Sequence, residues 1–210
     1  MKECILIGYG KLGKQFESYL RSEYPHLEFS YYDDIACNQG LINANPFINY
    51  TKIITGVKNS SVCISLGYKH LRLKSEIISY LPKECLLGFV HQSSFVDENA
   101  NVGLGSFIYP KVSVDNDSQV GICCVLNTGS ILCHDSEIGN CSFIGPNVTI
   151  CGDVKIGERC FIGAGSIISN NVVLGDDVIV GAGSLISSNI PSNKKVVGNP
   201  FKFVDKLNVI

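Results

Sequence analysis

Read in steps of six from Val90, the chain gives Val96, Val102, Ile108, Val114, Val120, Leu126, Leu132, Ile138, Ile144, Ile150, Ile156, Ile162, Ile168, Leu174, Val180 and Ile186, seventeen consecutive positions that are all Val, Ile or Leu. A fixed period this long denotes a repeat architecture and restricts the fold more than any other feature of the chain. The position four residues after each aliphatic is small or β-branched, as at Ser106, Val112, Ser118, Cys124, Ser136 and Val154. The position directly after is often glycine, as at Gly103, Gly121, Gly139, Gly157 and Gly175. Each hexad therefore reads as one short strand and a turn. The aliphatic points into a solenoid, and the glycine is expected to permit the backbone conformation of the corner. A single hexad cannot bury its apolar residue, whereas stacked coils share a continuous core. Three hexads make a triangular coil, so the run predicts between five and six coils with smooth faces and no long loop.

The first part of the chain has a different pattern. Residues 2–8 read as a buried strand, and Gly8, Gly10 and Gly13 follow in G-x-G-x-x-G spacing. The stretch KLGKQFESYLRSEY reads as a helix, and LEFSYYDD as a second strand ending in Asp33 and Asp34, about twenty residues beyond the glycines. This is the strand, turn, helix, strand and acid order of a nucleotide-binding fold. Glycines let the backbone approach a phosphate, the helix N-terminus attracts it, and the acid can accept a hydrogen bond from a ribose or a base. A third strand ends at Gly67, a helix is expected over 69–80, and the Asn-rich stretch over 37–60 reads as loop with one short strand. The chain thus divides into a Rossmann-like domain over 1–88 and an all-β parallel β-helix over 89–210 with a C-terminal tail.

Bulk properties remove several function classes. Charged residues make up 17% of the chain and the net charge is −2, which gives no basic patch for nucleic acid or an anionic membrane surface. No stretch reaches the roughly 18 apolar residues of a membrane span, and the N-terminus lacks the apolar region and cleavage site of a signal peptide. A soluble, cytoplasmic protein with no membrane insertion is the expectation. The ten cysteines contain no CxxC pair and no zinc-type spacing, so they read as free thiols used as small hydrophobes and no metal is expected.

The combination of a small Rossmann-like domain and a hexapeptide β-helix resembles the sugar acyltransferases of the hexapeptide-repeat superfamily. It is similar both to bacterial N-acetyltransferases for UDP-4-amino sugars, as in the bacillosamine pathway, and to sialic-acid O-acetyltransferases. The most telling segment is LNTGSILCHDSEIG, residues 126–139. The resemblance implies a left-handed β-helix and direct acyl transfer from acetyl-CoA, without a metal and without a covalent enzyme intermediate. It implies His134 as the general base and Asp135 as the acid that raises its basicity. It implies that the nucleotide-linked amino sugar is held by Gly8, Gly10, Lys11, Leu12, Gly13, Asp33, Asp34, Gly67 and Asn127. The acyl-CoA would meet Gly152, Ala164 and Ala182, with Phe143 standing where bacillosamine-type enzymes have a His that contacts the cofactor. It further implies a homotrimer with the cofactor in a groove between subunits, working in surface glycan biosynthesis.

The chemistry fits those residues. Acylation of an amine or hydroxyl needs a proton removed from the nucleophile, and a His near neutral pKa can do this at cytoplasmic pH. The alternative is a sialic-acid-type O-acetyltransferase using the same base, and a front domain able to hold a nucleotide favours the N-acyltransferase. An NAD-dependent dehydrogenase would need a catalytic domain where the repeat stands. A γ-class carbonic anhydrase would need three His ligands, and only His91 and His134 lie in the repeat. A nucleotide-sensing scaffold would have no need of the His134–Asp135 pair.

Overall fold

The computed structural model describes residues 3–41, 43–47 and 60–205. Contacts divide the chain into two compact units, Met1–Phe89 and Val90–Ile210.

In the first unit four strands, β1 (Glu3–Ile7), β2 (Glu28–Tyr32), β3 (Ala44–Asn45) and β4 (Ser61–Ile64), form a parallel sheet in the order β3-β2-β1-β4. From Cys4 to Ile7 the central strand β1 is apolar, as a parallel strand covered on both faces must be; Cys4, Leu6 and Ile7 are fully buried. Helix α1 (Lys11–Glu23) buries Gly13, Phe16, Glu17 and Leu20, one stripe at helical spacing. Helix α3 (Leu71–Ser79) follows β4 and buries Leu71, Lys74 and Ile77.

Part of the stretch read as loop is different. Residues Asp34–Asn38 form a short helix, α2, because Asp33 Oδ1 accepts the Ala36 N–H at 3.0 Å and so caps it. The expected short strand is β3. The remainder of the Asn-rich stretch, residue 42 and residues 48–59, lies outside the described residues.

The second unit is a β-solenoid of about six turns. Seventeen two-residue strands run from Phe89–Val90 to Leu185–Ile186, and each ends on one of the seventeen aliphatics. Neighbouring coils pair in parallel at a spacing of eighteen residues, as in Leu126↔Ile144 and Leu132↔Ile150. Three faces result. The first carries the strands ending at Ile108, Leu126, Ile144 and Ile162, the second those ending at Val114, Leu132, Ile150 and Ile168, and the third those ending at Val120, Ile138, Ile156 and Leu174. From Ile108 to Ile186 every repeat aliphatic is buried, whereas Val90 in the first coil is 47% exposed. Full burial of one such side chain stabilises by about 1.5–3 kcal/mol, and the repeat multiplies that gain along the axis.

Two other repeat positions have clear causes. The glycine after the aliphatic does not hold the corner in a special conformation. The left-handed residue lies two positions later and is filled by Lys111, Asp117, Asp135, Asn147, Asp153 and their equivalents, with φ between 53° and 63°. The glycine is needed because coils stack closely: a Cβ on Gly139 would sit 2.5 Å from the backbone carbon of Gly157. The small residue four after the aliphatic is a hydrogen-bonding rung. Ser136 Oγ donates to the Cys151 carbonyl at 2.8 Å and accepts the Val154 N–H at 3.1 Å; Ser142 does the same with Gly157 and Cys160. Cys124 and Cys160 occupy this column as thiol counterparts, donating to Gly139 and Gly175. Burial pushes the Cys160 thiol up to about 12, which suits an inert packing group.

Candidate functional site

The glycine turn after β1 is built by close packing. Gly8 has φ +89°, and its N–H donates to the Tyr32 carbonyl at 3.1 Å. A Cβ on Gly13 would lie 2.3 Å from the Gly8 carbonyl oxygen, so glycine lets the first turn of α1 rest on the turn. Ser65, at the end of β4, donates to the same Gly8 carbonyl. Gly10 is different. It precedes α1 in extended conformation, and a Cβ there would meet nothing within 4 Å. Neither backbone nor packing demands glycine at that place, which leaves the surface beside the α1 N-terminus clear for an incoming group. The N-terminus of α1 has no side-chain cap and no acid in its first turn; Lys11 is exposed there and Leu12 half-buried. A cap-free N-terminus with unpaired amides favours an anion. Gly67, beyond β4, likewise has open space at its Cβ. Because β1 and β4 are adjacent in the sheet while the chain leaves β1 toward β2, Gly8 and Gly67 stand at a topological switch point, the usual ligand crevice of such sheets.

The two acids beyond β2 have structural partners. Asp33 Oδ2 accepts the Tyr9 N–H at 2.8 Å while Oδ1 caps α2. Asp34 Oδ1 accepts the Phe47 N–H at 2.8 Å. Sequence spacing places both beside the glycine turn but does not reveal that they organise the loops around it.

The solenoid brings together His134, Asp135 and Gly152. All three lie on the corner between the second and third faces, directly after the strands ending at Leu132 and Ile150. His134 Nδ1 lies 2.9 Å from Asp135 Oδ2, and both side chains are about half exposed, 53% and 55%. With Nδ1–H donated to the carboxylate, the Nε2 lone pair is free to take a proton. The Asp135 hydrogen bond holds the His134 imidazole above its ordinary pKa, with the charges of Asp135, Asp153 and Asp115 acting in the same direction. The ring lies over Gly152 of the next coil: a Cβ there would fall 2.6 Å from His134 Cε1 and 2.7 Å from Nε2. The corner is clamped on both sides, because the Asp135 N–H donates to the Asn116 carbonyl and the His134 carbonyl accepts from Asp153 N–H. The Gly152 N–H has no acceptor among the described residues, whereas the corner amides of Ile122 and Glu158 are taken by Asn140 and Asp176 side chains.

Asn127, Ala164 and Ala182 are on the opposite edge of the second face, on the corner that follows the first. Asn127 Oδ1 accepts the Thr128 N–H at 2.7 Å. Ala164 and Ala182 are exposed one coil apart, and their N–H groups have no acceptor among the described residues. One chain therefore does not gather the two sets; the width of the second face separates them. Phe143 points outward on the first face, 9% exposed, with its ring 5.8 Å from that of Phe161. Among the described residues no cluster of three metal-ligating side chains exists and no helix is long and apolar enough to cross a membrane.

Fold and repeat together give a left-handed parallel β-helix of bacterial transferase hexapeptide repeats preceded in the chain by a parallel α/β unit, an architecture shared with solved acetyltransferases. Residues 135–170 and 153–188 match the bacterial transferase hexapeptide (six repeats). No curated protein matches in sequence. Among solved structures, the chain is similar to a variant of perosamine N-acetyltransferase from Caulobacter crescentus in complex with CoA and GDP-perosamine, at 23% identity and TM-score 0.83, covering 97% of both chains. It is similar to the acetyltransferase domain of PglB from Neisseria gonorrhoeae in complex with acetyl coenzyme A, at 25% identity and TM-score 0.79, covering 97% of this chain and 99% of that one. WeeI from Acinetobacter baumannii gives 23% identity and TM-score 0.82, covering 96% of this chain and 99% of that one.

Proposed function

We propose that this protein is an acetyl-CoA-dependent N-acyltransferase that acylates the amino group of a nucleotide-linked sugar, with His134 as the general base. The observation that carries the reading is the His134–Asp135 pair at 2.9 Å with Nε2 left free above Gly152. Nε2 removes a proton as the acceptor amine attacks the thioester carbonyl. The amine nitrogen gains the acyl group, the carbon–sulfur bond breaks, and the departing CoA sulfur takes the proton from the His134 imidazolium to leave as the thiol. Asp135 supports the imidazolium that forms. The unpaired Gly152 N–H is the candidate donor for the oxyanion.

The remaining assignments follow the same logic. The open Gly10 and Gly67 positions and the cap-free start of α1 favour a nucleotide diphosphate at Gly8, Gly10, Lys11, Leu12, Gly13 and Gly67, with Asp33 and Asp34 bounding that loop. The front unit is thus the nucleotide-sugar domain and the β-helix the acyltransferase domain. Ala164 and Ala182 offer unpaired amides to the pantetheine arm of CoA, with Phe143 beside that edge and Asn127 as a sugar contact. The C. crescentus enzyme was solved with CoA and an amino sugar on a nucleotide, and the PglB domain with acetyl coenzyme A, which supports the same donor and acceptor class here.

His134 and the Ala164–Ala182 ledge flank opposite edges of the second face, which also exposes Phe95, Ile131 and Ile167. A homotrimer with the three second faces turned toward its axis covers those apolar groups and brings the His134 corner of one subunit to the Ala164–Ala182 corner of the next. The test of function is acyl transfer from acetyl-CoA to a panel of UDP-, dTDP- and GDP-linked amino sugars, cytoplasmic precursors of surface glycans. An amide product on one of them is expected. An ester product on a sialic acid, with every amino sugar inert, replaces this reading with the O-acetyltransferase.

A further inference from the structure

Glu17 sits on the buried face of α1, 8% exposed. Its Oε1 accepts from the Tyr31 hydroxyl of β2 at 2.9 Å and from Arg21 Nε at 2.7 Å. The Tyr31 ring packs on Tyr9, centroids 4.5 Å apart, and the Arg21 guanidinium lies 4.5 Å over the Phe29 ring. Lys14 lies 5.6 Å over the other neighbour of the turn, the Tyr9 ring. Burial, first, and the Glu17 carboxylate raise the Tyr9 phenol well above its ordinary value. Tyr9 is the residue between Gly8 and Gly10, and its main-chain N–H is held by Asp33 at 2.8 Å. The main chain of the one non-glycine residue in the turn is therefore held by Asp33, directly beyond β2, and its ring is packed between Tyr31 of β2 and Lys14 of α1.

A buried carboxylate is costly to desolvate, and an apolar residue packs a helix onto a sheet at least as well. The arrangement of its partners gives the carboxylate a different use, because it ties α1, which starts at the glycine turn, to β2, whose Tyr32 carbonyl accepts the Gly8 N–H. We propose that Glu17 is a positioning residue for the nucleotide: through Tyr31 and Tyr9 it fixes the Gly8–Gly10 turn in the form that leaves the first amides of α1 open to a diphosphate. Preformed geometry lowers the ordering cost of binding, so loosening the turn weakens the ligand it receives. This inference rests on reading the front unit as the nucleotide domain.

The experiment is calorimetric titration of the full chain with UDP, dTDP and GDP, and separately with CoA, for the unaltered protein and for Glu17→Gln, Tyr31→Phe and Tyr9→Phe. The expected result is about tenfold weaker binding of the nucleotide that the unaltered protein prefers, with CoA affinity unchanged. In turnover, KM for the nucleotide sugar rises by a similar factor while kcat at saturation and KM for acetyl-CoA stay within about twofold. A change that only loosened the fold would lower the melting temperature and kcat without this split. If Glu17→Gln fails to fold, Tyr31→Phe, which keeps the ring and removes only the hydroxyl that donates to Glu17, decides. Nucleotide binding that is equal in Tyr31→Phe and the unaltered protein overturns the positioning role. If the unaltered protein binds none of the three nucleotides, the nucleotide reading of the front unit itself fails.

Discussion

His134 acquires its proposed chemistry from three local facts: the carboxylate of Asp135 at 2.9 Å, the absence of a Cβ at Gly152, and a corner clamped by hydrogen bonds to the coils on either side. Asp135 serves a second purpose, since it adopts φ +57°, a conformation that Asp and Asn tolerate better than most residues. Asp135→Asn should therefore leave the corner intact and remove only the charge. The general base must be neutral, so activity rises with pH through the His134 pKa, which lies above 6.5 because of Asp135. In Asp135→Asn that acid limb should move to lower pH, while the pH-independent rate falls on the order of tenfold or more as the base weakens. The measurement is kcat/KM against pH for both proteins. A limb that stays in place or moves to higher pH would remove Asp135 from the role.

At the scale of elements, the strand–turn–helix beginning at β1 separates glycines that serve the fold from glycines that serve a ligand. Gly13→Ala places a Cβ 2.3 Å from the Gly8 carbonyl, so α1 must lift, at a cost of about 1–3 kcal/mol. Gly10→Ala meets nothing within 4 Å and should leave the melting temperature unchanged while weakening nucleotide binding. Thermal denaturation and nucleotide titration of the two variants should show the two effects apart. A Gly10→Ala protein that binds nucleotide normally would mean the open space is not a ligand's. Much of this was legible in the sequence, because hydrophobic period and glycine spacing are properties of single positions. The seventeen aliphatics each end a strand, and α1, β1, β2 and β4 lie where pattern placed them. Helix α2 was not legible, because Asp33 reads equally as the end of a strand and as a cap. The left-handed corner residue escaped as well: it is filled by Asp, Asn, Lys, Cys and Arg more often than by glycine, so glycine spacing carries no trace of it. The hydrogen-bonding use of Ser136 and Ser142 depends on partners fifteen and eighteen residues away, which a hexad period alone does not disclose.

At the scale of the whole molecule, the residues that resemblance singles out within the β-helix, Phe143 apart, are split between two of its corners. Sequence spacing aligns His134 with Gly152 and Ala164 with Ala182, each eighteen residues apart, and puts the two pairs on different corners; the structure adds that the second face lies between those corners. That separation is the physical argument for a site shared between copies. It predicts complementation. A His134→Ala protein keeps the ledge, and an Ala182→Trp protein keeps the base; neither should be active alone. Co-assembled, the two should recover activity at those interfaces that join an intact base to an intact ledge. No recovery in mixed assemblies would place the whole site in one chain.

The central claim is that His134 drives acyl transfer from acetyl-CoA to an amine on a nucleotide-linked sugar. The most direct measurement is thiol release from acetyl-CoA, with the amino-sugar panel as acceptors, for the unaltered protein and His134→Ala. The account predicts release that depends on one amino sugar and a loss of kcat of about 10²–10⁴-fold in His134→Ala, with acetyl-CoA still bound. Release that persists at the unaltered rate in His134→Ala, or that no amino sugar stimulates, would contradict it.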